Sequence, residues 1–428
     1  MADVQPHRLR WWILLLLFLA ITVNVLDRQV LSLVAPVLRD QLHLSNSDYG
    51  FMVFCFLLGM TLGQIPVGIL MDRFGARRGF AWIIAWWSSA SLLHAFARSM
   101  TQFGVFRLLL GLGECGTYSG GVKVIGQWFP QRERALAAGL FNSGSLAGAV
   151  LAPPAIVFLT LKFGWPAAFL LPSGVGILWL IPWLKLYWDP WKHPRLTAKE
   201  HEQARQATVQ TTSAVRTRFL PLLSIRAVWG VILMRAFGGP VTHFYWYWLP
   251  EYLKHERGMS LEMIGLFAWM PFFSGGVGNI GGGWFSSWMI QHGCSVDRAR
   301  KTAIILAVAL ALPAVLVPAS PSTLWAMALI CLASLGINAL AANQMALLTD
   351  LFPQEILARV SGLTGVGDSG VSMVVMLLTG VVVDHFSYYP VFIAAGVFPL
   401  VSLIAFLVLV RSVRPVQLSE AVLMQSSR

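Results

Sequence analysis

Charge is scarce in this sequence. Only 12% of its 428 residues are Asp, Glu, Lys or Arg, about half the share found in ordinary soluble domains. A water-soluble fold with 57% hydrophobic residues could not cover its own surface, so an ordinary soluble enzyme is excluded. Cysteine is rarer still. Cys55, Cys115 and Cys331 lie in apolar runs and Cys294 in a basic loop, which fits neither a disulfide framework nor a zinc site. Acids are few beside bases, 19 against 31, for a net charge of +12. In a soluble chain that excess would favour nucleic acid. In one this apolar it reads as the Lys/Arg bias of membrane loops, and no nucleic-acid partner is expected. No small-residue cleavage site closes the first apolar run, so that run reads as a spanning helix and not as a removed signal.

Long apolar stretches are what the chain does have. A membrane helix takes about 20 mostly apolar residues. Runs of that kind fall near 11–38, 48–71, 79–97, 101–127, 133–159, 165–187, 226–251, 262–291, 301–318, 322–348, 355–383 and 389–411. The expected fold is therefore an all-α membrane protein of twelve transmembrane helices. With the N-terminus inside, the inner segments hold 21 Lys/Arg and the outer loops 5, which places both termini in the cytoplasm. The aromatic runs suit interfacial belts, and Trp246 and Trp248 are expected in the outer one.

Segment 188–225 is polar and cationic, the one internal stretch that reads as a cytoplasmic linker. It separates 1–187 from 226–428, six spans each. The loops after spans 2 and 8 repeat a pattern. The first reads Gly68-x-x-x-Asp72-Arg73-x-Gly75-x-Arg77, and the second is GGWFSSWMIQHGCSVDRARK at 282–301. Both are Gly-rich helix ends followed by a basic cluster. Two parallel six-helix halves with a midplane site between them form a transporter architecture. The first loop resembles the signature of the major facilitator superfamily closely, and the resemblance covers nearly the whole chain. It implies a conformational latch at Gly68, Asp72, Arg73, Gly75 and Arg77. The second copy has Ser286 and Ser287 where the family's acid would lie, so a latch there should be weaker.

A charge in the hydrocarbon costs at least ~2.5–3.5 kcal/mol on the most lenient scale, so each one inside a span needs a partner or a task. Span 1 carries Asp27 and Arg28. Asp27 lies 16 residues past Trp11, or about 24 Å along a helix. Span 4 carries Arg107 and Glu114, seven residues apart and so on one helix face. All four charges can meet at one depth, as a static network or as a proton-coupled anion site. Arg is the natural carboxylate clamp because its planar fork donates two parallel hydrogen bonds. Protonating a neighbouring acid would free it for an anion.

The Asp27-Arg28 pair, the Arg107-x-x-x-Gly-x-x-Glu114 pattern, GQWFPQRERALAAGLFNSGSLAGAVLAPP at 126–154, YWLPEYL at 247–253 and GCSVDRARK at 293–301 resemble the anion:cation symporter family. That family includes sialin and bacterial hexuronate and galactonate importers. The resemblance implies substrate contact at Arg28 and proton carriage at Asp27 and Glu114. Arg107 matches the family's span 4 arginine and is expected as the partner of Asp27 and part of the binding site. Val25 stands where many members have Tyr. Asn142 and Ser145 on span 5, Tyr247 on span 7 and Asn343 on span 10 supply hydroxyl, amide and aromatic groups suited to a polyol. Asn338 is weighed equally as a helix–helix hydrogen bonder. Asp368 on span 11 either pairs with Arg235 or contacts substrate hydroxyls. His243 is expected to be a structural histidine near the outer end.

Lys123 lies on the face opposite Glu114 and is expected to reach the inner surface. The glycines at 275–283 suit close helix packing better than a phosphate loop. No nucleophile–base pair or metal cluster for an intramembrane enzyme is apparent in the spans, and no soluble output domain for a receptor. The expected function is a proton-coupled symporter of the bacterial inner membrane that imports an organic monocarboxylate, such as a hexuronate or aldonate. Its partners are the anion, protons and the bilayer. It needs no metal or cofactor beyond the coupling proton, and a monomer is expected. An exchanger or facilitator of aromatic or dicarboxylic acids is the alternative.

Overall fold

The computed structural model describes residues 6–194 and 220–416. Its described residues fold into helices: α1 (Pro6–Leu42), α2 (Asn46–His94), α3 (Met100–Glu114), α4 (Gly116–Trp128), α5 (Gln131–Phe163), α6 (Trp165–Leu186), α7 (Arg226–His255), α8 (Leu261–Phe267), α9 (Met270–Gln291), α10 (Val296–Ala311), α11 (Thr323–Leu351), α12 (Gln354–His385) and α13 (Tyr389–Leu409). Every one of the twelve apolar runs coincides with a helix. Spans 2 and 3 are the two arms of α2, which bends at Gly75 with φ +75°, a left-handed conformation that glycine adopts without steric cost. Span 4 is α3 followed by α4, and span 8 is α8 followed by α9. Eight helical stretches among the described residues are long and apolar enough to cross a membrane. Of the 188–225 linker, 195–219 lies outside the described residues, and short 3-10 turns at Pro190–Lys192 and Leu220–Ser224 flank it.

The chain divides into two compact units. The first comprises Met1–Leu44, Cys55–Ser213 and Met259–Trp269, and the second Ser45–Phe54, Ala214–Gly258 and Met270–Arg428. Ser45–Phe54, from the start of α2, thus groups with the second unit, and Met259–Trp269, which contains α8, with the first. In the first unit α1 packs on α5 and α6, and α8 packs on α5. In the second α7 packs on α12, α13 and α11, while α9 lies along α11.

Helix starts follow local chemistry. Ser99, Ser260, Ser295 and Ser322 each accept a hydrogen bond from the N–H three residues on, satisfying one of the orphan donors of the first turn. The start of α2 is held differently. Asp384, at the end of α12, accepts from the backbone N–H groups of Asn46 and Ser47 at 3.0 and 2.7 Å and from both side chains. All of these residues belong to the second unit. The glycines at 275–283 pack α9 on α11 as expected: Cβ atoms on Gly275, Gly278 and Gly282 would meet Asn338, Leu335 and Ala339.

One aromatic expectation fails. Trp248 is fully buried, edge-on to Tyr49 at 4.9 Å and Tyr388 at 6.3 Å, so it is a core side chain of the second unit and not part of a lipid-facing belt. Trp246 is half-buried against Phe272.

Candidate functional site

The first unit gathers its buried charges at one place. Asp27, Arg107 and Glu114 are all at most 1% exposed. Arg28 donates from Nε to Glu114 Oε2 at 2.9 Å and from Nη2 to Asn24 Oδ1 at 3.3 Å, one helical turn back. Asp27 Oδ1 accepts from Ser91 Oγ at 2.5 Å. Arg107 lies within electrostatic reach of both Asp27 and Glu114, and Glu114 within reach of Asp27. The Phe56 ring has the guanidinium carbons of Arg28 and Arg107 each 5.6 Å from its centroid, a cation–π geometry. Asp27 Oδ2 and Glu114 Oε1 are buried without a hydrogen-bond partner among the described residues.

Local sequence explains the convergence. The seven-residue spacing sets Arg107 and Glu114 on one face of α3. Asn24 and Arg28, four apart, are neighbours on α1. α2 and α3 approach closely because Gly59 and Gly111 carry no side chain. A Cβ on either would collide with the facing backbone, at Leu108 for Gly59 and at Phe56 for Gly111. Sequence reasoning located the four charges but not Asn24, Phe56 or Ser91. The Asn24-x-x-x-Arg28 spacing was the one signal available for these. Nothing separates Phe56 from the other 25 phenylalanines.

The second unit has its own buried acid. Arg235 Nε donates to Asp368 Oδ2 at 2.8 Å. Ser372 Oγ donates to Asp368 Oδ1 at 3.3 Å, and His243 Nδ1 stands 3.9 Å from the same oxygen. The carboxylate fills the space that a Cβ on Gly239 would need. His243 is not merely a helix-end histidine: it shares an acid with an arginine. When ionised, the two acids and two arginines of the first cluster cancel, and so do Asp368 and Arg235.

Other expected positions are spread more widely. Asn142 is exposed and Ser145 half-buried on α5. Tyr247 is buried, its carbonyl accepting from Tyr49 Oη at 2.6 Å and its ring stacked on His243 at 6.1 Å. Asn343 is fully buried and donates to Gly282 O and Ala339 O, so it ties α11 to α9. Asn338 bonds within its own helix, to Ser334 O. Lys123 Nζ donates to Met71 O at 3.0 Å.

The loop at 68–78 rests on the end of α6. Arg77 donates to Leu184 O at 2.6 Å, stacks on Trp188 at 3.5 Å, and accepts from Trp183 Nε1 through its carbonyl. Arg73 is exposed over Phe74, and Gly68 has open space around it. The side chain of Asp72 lies outside what the structure describes. Asp189, read from sequence as linker, packs beneath the bend, with its Oδ2 3.5 Å from where a Gly75 Cβ would stand. Burial pushes its carboxyl above the usual value against the pull of Lys192, Lys123 and Arg77. In the second copy of the loop, Ser286 accepts from Arg300 Nη1 at 2.6 Å while Arg300 Nε pairs with Asp350 at 2.7 Å. The acid missing from α9 is thus supplied by α11.

A multi-pass helical chain in two units, each with compensated charges buried in its interior, is the build of a membrane transporter. The family model described as Major Facilitator Superfamily matches residues 17–296 and 291–423. The probable galactarate/D-glucarate transporter GudP of Escherichia coli K12 is 30% identical, over 96% of this chain and 95% of its own length. The hexuronate transporter of the same organism is 28% identical, over 92% of each chain. Among solved structures, a bacterial homologue of the human lysosomal transporter Spinster superposes with a TM-score of 0.75 at 17% identity, over 94% of this chain and 97% of that one. The chain belongs to the major facilitator superfamily.

Proposed function

We propose that this protein is a proton-coupled symporter of the bacterial inner membrane, with both termini cytoplasmic, that imports a sugar acid such as a hexuronate or aldonate by alternating access. The observation that carries the reading is the Arg28–Glu114 bond inside a buried network. Two carboxylate oxygens there, on Asp27 and Glu114, have no donor among the described residues. An acceptor left unsatisfied in a buried site is costly, and a proton added at such a carboxyl removes the penalty. Protonated Glu114 no longer competes for Arg28, whose fork then takes the substrate carboxylate. The relatives named for galactarate, glucarate and hexuronate transport support a polyhydroxy acid as cargo.

Binding and coupling are separable by one substitution. Glu114→Gln carries the neutral form permanently. It should bind hexuronate and perform counterflow between preloaded pools, yet fail to accumulate substrate when a proton gradient is imposed on proteoliposomes. Uphill uptake retained by that variant would move the proton elsewhere.

A further inference from the structure

We propose that His243, Asp368 and Arg235 form a second proton-binding site, housed wholly in the second unit and loaded during transport. The proposal rests on the reading of this chain as a proton-coupled transporter but not on the role given to Glu114.

His243 Nδ1 donates to Gly239 O at 3.0 Å, one turn back on α7. That bond fixes the neutral ring with its proton on Nδ1, so Nε2 is the nitrogen that gains a proton. The ring then becomes a cation whose Nδ1 faces Asp368 Oδ1 at 3.9 Å. An opposite charge at such a distance favours the protonated ring, and the Arg235 guanidinium on the other carboxylate oxygen opposes it. The acid is therefore shared between a permanent cation and a conditional one. The side chains of Arg235 and His243 are 27% and 25% exposed, against 11% for Asp368, so the two cations are the more open members of the cluster and the acid the more enclosed. The missing side chain at Gly239 is what lets the acid lie against α7.

Among the described residues, the elements packed on α7 bring these polar groups toward the cluster. From α11 comes Gln344, an amide bonded to Met234 O, and the acid of that helix, Asp350, is paired with Arg300. α13 contains no Asp, Glu, His, Lys or Arg. α12 contributes Asp368 and Ser372. From the start of α2 comes Tyr49, bonded to Tyr247 O.

Two measurements test the proposal. The first needs no transport. Diethyl pyrocarbonate acylates only neutral imidazole, so the pH dependence of His243 labelling in the purified full chain, quantified by mass spectrometry, reports the proton. The midpoint should fall by about one pH unit or more in Asp368→Asn and rise in Arg235→Gln. Opposite shifts are not produced by general loosening of the fold, and either variant alone suffices if the other fails to fold. A midpoint unmoved in the variants would overturn the proposal. The second counts protons moved per galactarate or glucuronate in proteoliposomes. His243→Gln should move one fewer than the unaltered protein. An unchanged ratio would remove the site from the transport cycle. Glu114→Gln run alongside keeps the two readings apart: its behaviour judges the first unit's proton site and leaves the His243 labelling result standing.

Discussion

At the scale of single residues, the chemistry of Arg28 depends on its shape as much as its charge. Its Nε is committed to Glu114 and one terminal nitrogen to Asn24, a pattern that uses the fork of the guanidinium. Lysine keeps the charge but offers one ammonium point. Arg28→Lys should therefore lose most sugar-acid uptake while remaining folded. Near-normal affinity by isothermal calorimetry would show that the fork is not needed. Asp189 gives a prediction of a different sort. Burial holds its carboxyl above the usual 3.8, so the ionised form is penalised in the folded chain. The penalty is absent below that value, where folded and unfolded chains are both protonated, and grows as pH rises through the folded value. Asp189→Asn should raise the melting temperature at neutral pH, with the difference closing below about pH 4. A difference of the same size at both pH values would assign the effect to something other than ionisation.

At the scale of elements, the sequence was readable where a physical requirement left little choice. Twenty apolar residues in a row must form a helix if they lie in lipid, and each of the twelve runs coincides with one. Gly75 was legible as part of the basic loop after span 2, but not as the bend between two arms of one helix. Side-chain destinations were harder. An aromatic near a helix end reads the same whether it faces lipid or a neighbouring helix, and Trp248 was misplaced for that reason. Asn343 was legible as polar but not as a tie between α9 and α11, since its acceptors are backbone carbonyls that any sequence provides. Asp189 was hidden because a lone acid in a cationic stretch resembles a solvated linker. The burial of Trp248 has a measurable weight. Trp248→Ala should cost ~3–5 kcal/mol of stability, the range for emptying a buried aromatic site. Trp284→Ala, at a site 64% exposed, should stay within ~0.5 kcal/mol. Equal effects of the two in thermal unfolding would return Trp248 to the surface.

At the scale of the whole molecule, each unit holds one buried cluster whose charges cancel. Asp27 and Glu114 offset Arg28 and Arg107, and Asp368 offsets Arg235. The membrane potential acts on whatever net charge crosses it, at ~2.3 kcal/mol per elementary charge for every 100 mV. A cluster that sums to zero is invisible to that field when empty, so neither of these two should make the return to the loading side depend on voltage. Loading changes the sum. One proton with a singly charged anion leaves it at zero, and a second proton makes it +1. In proteoliposomes clamped by a potassium diffusion potential, exchange between equal pools should therefore set the baseline, and net import of a monoanion should quicken with interior-negative voltage. A flat response would mean that the loaded clusters, like the empty ones, cross as electrically silent bodies.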